Sequence, residues 1–268
     1  MTTSHSEVLE RVENALAAAK NVFTRFTPGE VAAEYKSGHD PVTEADRAVD
    51  AILRECLLRE GEGWLSEESA DDRSRFRNNR MWIVDPLDGT REFVQGIPEF
   101  CISIAMVEHG QLIAGGICNP ATGELFLGAV DCGLTYNGSQ ARASERRELH
   151  GALVLASRSE SKRGEWEKFK NAPFQTQATG SVAYKLARVA AGLADATFTL
   201  NPKHEWDVAG GAALVLSGGG FVQTLHSPLT CNNESLLIDG LIACGPFLKD
   251  ELLKFLAPYS QPMKSAMP

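Results

Sequence analysis

Apolar residues recur at helical spacing from Glu7 to Phe26, at Leu9, Val12, Leu16, Ala19 and Phe23, before Pro28-Gly29 ends the pattern. The same period predicts a helix over about Thr43–Leu58, with Ala48, Val49, Ile52, Leu53 and Cys56 inward. Strand-like runs follow at Trp64–Ser66, Met81–Val84, Cys101–Val107, Leu112–Cys118, Glu124–Val130 and Leu134–Tyr136, with turns at His109-Gly110 and Asn137-Gly138. Pro86 is expected to take the chain out of the sheet, because proline cannot donate to a ladder. Beyond residue 150 the pattern alternates. It gives a strand at Ala152–Ala156, helices near Lys162–Lys170 and at Ser181–Ala191, and a strand at Ala194–Leu200. A helix at Asp207–Leu216, strands at Phe221–Leu225 and Leu241–Cys244, and a helix at Phe247–Leu256 complete it. Hairpins early and alternation late predict an α+β lobe over residues 1–147 and an α/β lobe over 148–268, so an α/β chain overall.

The composition is that of a globular chain: 43% hydrophobic and 23% charged over 268 residues. No run is apolar enough to span a bilayer, and no leader-like segment follows the start. The six cysteines form no CxxC pair and fit reduced core thiols, so a soluble cytoplasmic protein is expected. A net charge of −9 argues against nucleic acid as a partner. The charge is uneven: residues 1–150 hold 25 acidic against 15 basic side chains, and residues 151–268 hold 10 against 11. An acid-rich half fits plain solvation, and it is also what a site for several cations requires.

The densest chemistry lies in Trp82-Ile83-Val84-Asp85-Pro86-Leu87-Asp88-Gly89-Thr90. Asp85 and Asp88 at a strand's carboxyl end can converge on one point, and hard cations such as Mg²⁺ take carboxylate and carbonyl oxygens, including that of Leu87. Amides at Gly89 and Thr90 could hold a phosphate. A β-turn with both aspartates capping amides accounts for the same residues. Glu67 follows a short strand, either in a solvated acidic loop or as a cation ligand. Asp207 opens an apolar helix, where an N-cap role would suffice, and could also reach a cation. Thr43 and Asp46 have the spacing of a capping box, and Asp46 could accept a proton relayed through Thr90.

Taken in order, Asp40-Pro41-Val42-Thr43-Glu44-Ala45-Asp46, Ser66-Glu67-Glu68-Ser69, the Asp85–Thr90 segment and Glu205-Trp206-Asp207-Val208-Ala209-Gly210-Gly211 resemble the inositol monophosphatase superfamily, which includes 3′(2′),5′-bisphosphate nucleotidases. The resemblance runs from about Glu7 to Pro246. It implies a layered αβαβα sandwich and a Mg²⁺-dependent phosphoric monoester hydrolase, inhibited by lithium, with two to three Mg²⁺ ions per site. It also implies metal binding by Glu67, Asp85, Leu87, Asp88 and Asp207, catalysis by Asp46, Glu67 and Thr90, and phosphate binding by Gly89 and Thr90. A homodimer is common in that superfamily.

The resemblance implies a small soluble phosphate ester as substrate, with a slight lean from local residues toward a bisphosphate nucleotide, 3′-phosphoadenosine 5′-phosphate going to AMP. Arg91-Glu92-Phe93 and Ser157-Arg158-Ser159 resemble the nucleotidases, and Leu200 stands where inositol phosphatases often place a glutamate. Arg158 or Lys203 would hold a second phosphate, or each is ordinary surface charge. Gln95-Gly96-Ile97-Pro98 is closer to the inositol type. Inositol 1-phosphate, sugar phosphate and histidinol phosphate are the alternative substrates, and a non-catalytic relative that binds a partner is the least favoured reading.

Overall fold

The computed structural model describes residues 4–35 and 41–260; Asp40 of the first motif lies outside them. Two helices open the chain, α1 (His5–Lys20) and α2 (Glu44–Leu57), with a short ladder of β1 (Glu34–Tyr35) and β2 (Pro41–Val42) before α2. Seven strands then form one sheet in chain order: β3 (Glu62–Ser66), β4 (Arg80–Asp88), β5 (Cys101–Glu108), β6 (Gln111–Cys118), β7 (Leu125–Ala129), β8 (Gly133–Tyr136) and β9 (Ser139–Ala141). A short helix, α3 (Thr90–Val94), follows β4. Only β3 and β4 are parallel; the rest of the sheet is antiparallel.

The second half supplies β10 (Leu153–Ser157), α4 (Arg158–Lys162), β11 (Gln175–Thr179), α5 (Val182–Ala190), β12 (Ala196–Thr199), β13 (Lys203–His204), α6 (Glu205–Ser217), β14 (Phe221–Gln223), β15 (Leu237–Ile238), β16 (Leu241–Cys244) and α7 (Lys249–Leu256). Five of these strands make a second sheet, in the order β11-β10-β12-β16-β14, and β13 pairs with β15 apart from it.

The period of two in a strand sorts the first sheet's side chains into two cores. Trp82, Val84, Ile102, Ile104 and Met106 face α1 and α2, joining Val8, Val12, Leu16, Val49 and Leu53. Met81, Ile83, Cys101, Ala105 and Val107 face the other way, onto Ala183, Leu186, Val208, Ala209 and Ala212 of α5 and α6. The second sheet covers those helices from behind, through Leu155 against Val189. Its outer face packs Val154, Phe198 and Ile242 on Leu248, Leu252 and Leu256 around α7. The result is the expected layered αβαβα sandwich of mixed α/β class, with β5 buried along nearly its whole length.

Besides the short strands β1, β2, β9, β13 and β15, which the pattern does not predict, three departures have a clear physical reason. Pro86 does not end β4. The ladder shifts register between Asp85↔Ser103 and Asp88↔Cys101, so a bulge absorbs the extra residue and no ladder donor is needed from the proline. The helix expected near Lys162–Lys170 breaks at Gly164, in the left-handed region, leaving α4 and a single 3₁₀ turn at Glu167–Phe169. The edge strand β11 was not foreseen, because Gln175, Thr176 and Gln177 are exposed and carry no apolar alternation.

Helix α6 lies unusually close to β5. A Cβ built on Gly210 would fall 2.3 Å from Ser103 Oγ and 3.0 Å from the Ile104 carbonyl oxygen. A larger residue must push the helix off the sheet. Gly210→Val is therefore expected to cost about 1–3 kcal/mol of stability, the usual range for overpacking, measured as a lowered urea midpoint at unchanged slope. An unchanged midpoint would show that the helix backs away freely.

Candidate active site

The carboxyl ends of β3 and β4 set the site. These strands are parallel and Ser66 pairs with Val84, so Glu67, just past the end of β3, lies beside Asp85, which still pairs with Ser103 on the other side of β4. Asp85 continues the face of Met81 and Ile83, toward α6. Asp207 enters from the first turn of that helix. One oxygen from each of Glu67, Asp85 and Asp207 lies within 4.8 Å of the other two. Asp207 is not the N-cap that the sequence allowed. His204 holds that position, and Asp207, three residues on, accepts its backbone N–H at 2.9 Å.

Asp85 is 1% exposed, and its Oδ1 accepts the Leu87 N–H at 3.0 Å while its Oδ2 is buried with no donor. Burial, then the charges of Glu67, Asp88 and Asp207, hold its carboxyl well above the ordinary aspartate range. Burial, with Asp88 and Glu67, pushes Asp207 up to about 8. A buried acceptor without a donor, among acids reluctant to ionise, fits a divalent cation set of hard oxygens.

Asp88 also lies in the cleft but is turned to α5. Its Oδ2 accepts the Ser181 hydroxyl and the Ala183 N–H, both at 2.6 Å. Burial raises its pKa, and these two bonds oppose the rise. The following turn needs Gly89, whose φ is +97° and whose Cβ would meet the Glu99 carbonyl oxygen at 2.9 Å. That turn starts α3 at Thr90, beside Asp46. The capping box at the start of α2 is present: Asp46 Oδ2 accepts from the Thr43 N–H at 2.7 Å and the Thr43 hydroxyl at 2.6 Å. The Thr90 hydroxyl lies 3.1 Å from Asp46 Oδ1 and 2.9 Å from the Leu87 carbonyl oxygen. Burial raises the Asp46 pKa.

A cleft of about 550 Å³ contains Glu67, Asp85, Leu87, Asp88, Gly89, Thr90, Arg158, Lys203 and Asp207. Asp46, 2% exposed, stands behind Thr90. Two of these residues have their charge engaged. Arg158 grips Glu99 through Nε at 2.9 Å and Nη2 at 2.6 and 2.7 Å, and Glu99 also accepts the Gly180 N–H. Lys203 pairs with Glu160 at 3.3 Å. His204 stacks on Trp206 at the cleft's edge, with centroids 4.5 Å apart and planes 9° apart.

Sequence reasoning missed Ser181 and Lys185. Ser181 caps α5 through the Tyr184 N–H and holds Asp88 with the same hydroxyl oxygen. The available signal was Gly180-Ser181 just before an apolar helical run. Lys185 had no signal, since a lysine one turn into a helix reads as solvated. It is 5% exposed and lines the cleft, and burial lowers its pKa.

No helix among the described residues is long and apolar enough to cross a membrane. The chain is similar to the inositol-1-monophosphatase of Mesorhizobium japonicum, 34% identical over 246 residues that cover 87% of this chain and 89% of that protein. It is 30% identical over 229 residues to the Nus factor SuhB of Escherichia coli K12, covering 82% and 84%. The extragenic suppressor protein SuhB of Bartonella henselae superposes with a TM-score of 0.80 at 28% identity, covering 97% of this chain and all of that one. The profile of the inositol monophosphatase family matches residues 4–261, so this chain belongs to that family and is a phosphoric monoester hydrolase.

Proposed function

We propose that this protein is a Mg²⁺-dependent phosphatase of small phosphate monoesters, with a 3′(2′),5′-bisphosphate nucleotide as the favoured substrate. One observation carries the reading: oxygens of Glu67, Asp85 and Asp207 meet within 4.8 Å of one another, and Asp85 Oδ2 is buried with no donor, in the cleft that also holds Thr90, bonded to Asp46. Glu67, Asp85, Asp88, Asp207 and the Leu87 carbonyl are the proposed metal ligands. Divalent cations held there would neutralise the crowded carboxylates, acidify the attacking water and take up charge on the departing oxygen.

The chain's own residues handle the proton and the phosphate. Thr90 donates to Asp46, which leaves its hydroxyl oxygen free to accept from the attacking water. Asp46 cannot turn away, because Thr43 holds its other oxygen. Its raised pKa suits it to take up that proton. Glu67 orients the water from the β3 side. The amides of Gly89 and Thr90, at the start of α3, hold the phosphoryl oxygens.

The stacked His204–Trp206 pair supports a planar base on the leaving group, since an aromatic face can extend the stack. The 34% identity to a protein named inositol-1-monophosphatase favours a second reading, inositol 1-phosphate. Phosphate release with and without Mg²⁺ is to be compared for 3′-phosphoadenosine 5′-phosphate, inositol 1-phosphate, fructose 1,6-bisphosphate and histidinol phosphate. We expect Mg²⁺-dependent turnover with the highest kcat/KM for the nucleotide. No Mg²⁺-dependent release from any of the four would sink the reading.

Thr90→Ala is expected to lower kcat by about 10²-fold with a smaller change in the Mg²⁺ concentration for half-maximal rate. Equal losses in both would indicate a structural role. The acids give a separate test. Folded Asp207 keeps its proton up to about 8, whereas an unfolded aspartate has lost it in the ordinary carboxylate range. The ion-free protein therefore loses stability as pH rises across that window. Cations compete with the proton, so the rise in Tm on adding Mg²⁺ should be larger near pH ~8.5 than near pH ~5.5. Asp207→Asn should flatten the ion-free slope, and a larger Mg²⁺ effect at the lower pH would contradict the assignment.

A further inference from the structure

We propose that Arg75 and Glu205 are positioning residues, the two ends of a buried brace outside the cleft that fixes the separation of Glu67 and Asp207 and so the affinity for a cation held between them; this rests on the cation site of the reading above. Glu205 is the first residue of α6, two positions before Asp207, and is fully buried. Its Oε2 accepts the Asn232 N–H at 2.9 Å. Its Oε1 accepts the Asn233 N–H at 2.9 Å and the Asn233 side-chain amide at 2.6 Å. Arg75 is 1% exposed and lies in the segment that follows Glu67. Its Nε donates to Asp71 at 3.0 Å, Nη1 to the Asn232 side-chain oxygen and Nη2 to the Asn233 carbonyl at 2.9 Å. The loop at Asn232-Asn233 is thus gripped from one side by a cation and from the other by an anion.

Each end of the brace is anchored on an element that leads to one of the acids. Residues 74–77 form a 3₁₀ turn packed on β3, where a Cβ on Gly63 would lie 3.0 Å from the Arg75 Cα. β3 ends at Ser66, one residue before Glu67. At the other end, Glu205 sets the first turn of α6, and its own N–H donates to the Leu236 carbonyl at 2.9 Å. Glu67 and Asp207 come from opposite halves of the chain and repel each other as carboxylates, so a tie between their supports is needed to hold them at ligand distance. Every nitrogen of the Arg75 head group and both oxygens of Glu205 are bonded, and a fully satisfied buried network is rigid. Buried charges contribute little net stability; what they supply here is a fixed geometry. None of Arg75, Glu205, Asn232 and Asn233 lines the cleft, so the brace acts on the acids through position.

The test is calorimetric titration with Mg²⁺ alone, below the Tm of every protein compared: wild type, Arg75→Met, Arg75→Lys, Glu205→Gln, Asn232→Gly and a control, Leu252→Ala. Glu205→Gln turns one acceptor into a donor that faces the loop amides. Asn232→Gly keeps the left-handed backbone at φ +67° and removes only the side-chain acceptor of Arg75. Leu252 is buried in the outer core around α7, away from the brace, so its truncation lowers stability without touching the acids. Arg75→Met and Glu205→Gln should weaken the tightest Mg²⁺ binding about tenfold or more, the usual effect of losing support behind a ligand. Asn232→Gly should weaken it in the same direction by about threefold, and Arg75→Lys, which keeps the charge and loses the fork, should fall between wild type and Arg75→Met. Leu252→Ala should lower Tm and bind Mg²⁺ as wild type does. Unchanged affinity in Arg75→Met and Asn232→Gly overturns the proposal. An equal weakening in Leu252→Ala overturns it too, because lost stability would then account for the effect. A wild type that binds Mg²⁺ but releases phosphate from no ester sinks the phosphatase reading and leaves the brace to be decided by these affinities. A wild type that binds no Mg²⁺ sinks both.

Discussion

The architecture depends on forcing like charges together where water cannot separate them. Two unit charges about 4 Å apart repel by about 4 kcal/mol at an effective dielectric of about 20. Glu67, Asp85 and Asp207 present oxygens within 4.8 Å of one another, with Asp88 close enough to raise two of the three acids further. A fold selected only for stability would not bury them so. The ion-free chain relieves part of the conflict by holding protons, as the raised pKa values of Asp85 and Asp207 show. The rest of the strain is carried by elements that cannot move: two parallel strand ends, a bulge and a helix clamped to the sheet.

That clamp explains the small residues of α6. Gly210 touches the backbone of β5, and Ala209, Ala212 and Ala213 are fully buried beside it. Close approach brings the first turn of α6, and so Asp207, to the end of β4. The bulge at Asp85–Asp88 does the matching work on the strand. With regular pleating, residues 85 and 88 would point to opposite faces; the extra residue brings both acids to the cleft. The start of α5 then fixes Asp88 through Ser181 and Ala183, and Glu99 ties the preceding Gly180 to Arg158. The two halves of the chain thus meet at the acids through hydrogen bonds that each half could not make alone.

The first half was legible because its signals are local and periodic. The alternation along Met81–Val84 and Cys101–Val107 and the Thr43/Asp46 spacing need no tertiary information. The acids in the cleft were legible as a set because four separated segments carry them in a recognisable order. What the sequence withheld depends on partners far away in the chain. Pro86 reads as a strand breaker until a bulge removes the need for its N–H. Asp207 reads as a cap until His204 proves to hold that place. Lys185 reads as solvated until both sheets close over α5. Arg158 and Lys203 read as open cations, and only the fold shows Glu99 and Glu160 against them.

The division of charge follows from the same constraint. Acids concentrated in the first half repel a phosphate ester unless something positive stands between. In the second half, acids and bases nearly balance, and its wall meets the cleft with paired bases, serines and one buried lysine. A substrate approaching such a cleft is sorted by two different means. On the phosphatase reading, its scissile phosphate would be accepted only where cations offset the acids. On the reading proposed above, its remaining groups would meet the His204–Trp206 stack at the cleft's edge, apart from the acids. Asp88 is held by a hydroxyl and a backbone amide at the start of α5, so the hydrogen bonds that place it do not come from the side chains farther along that wall.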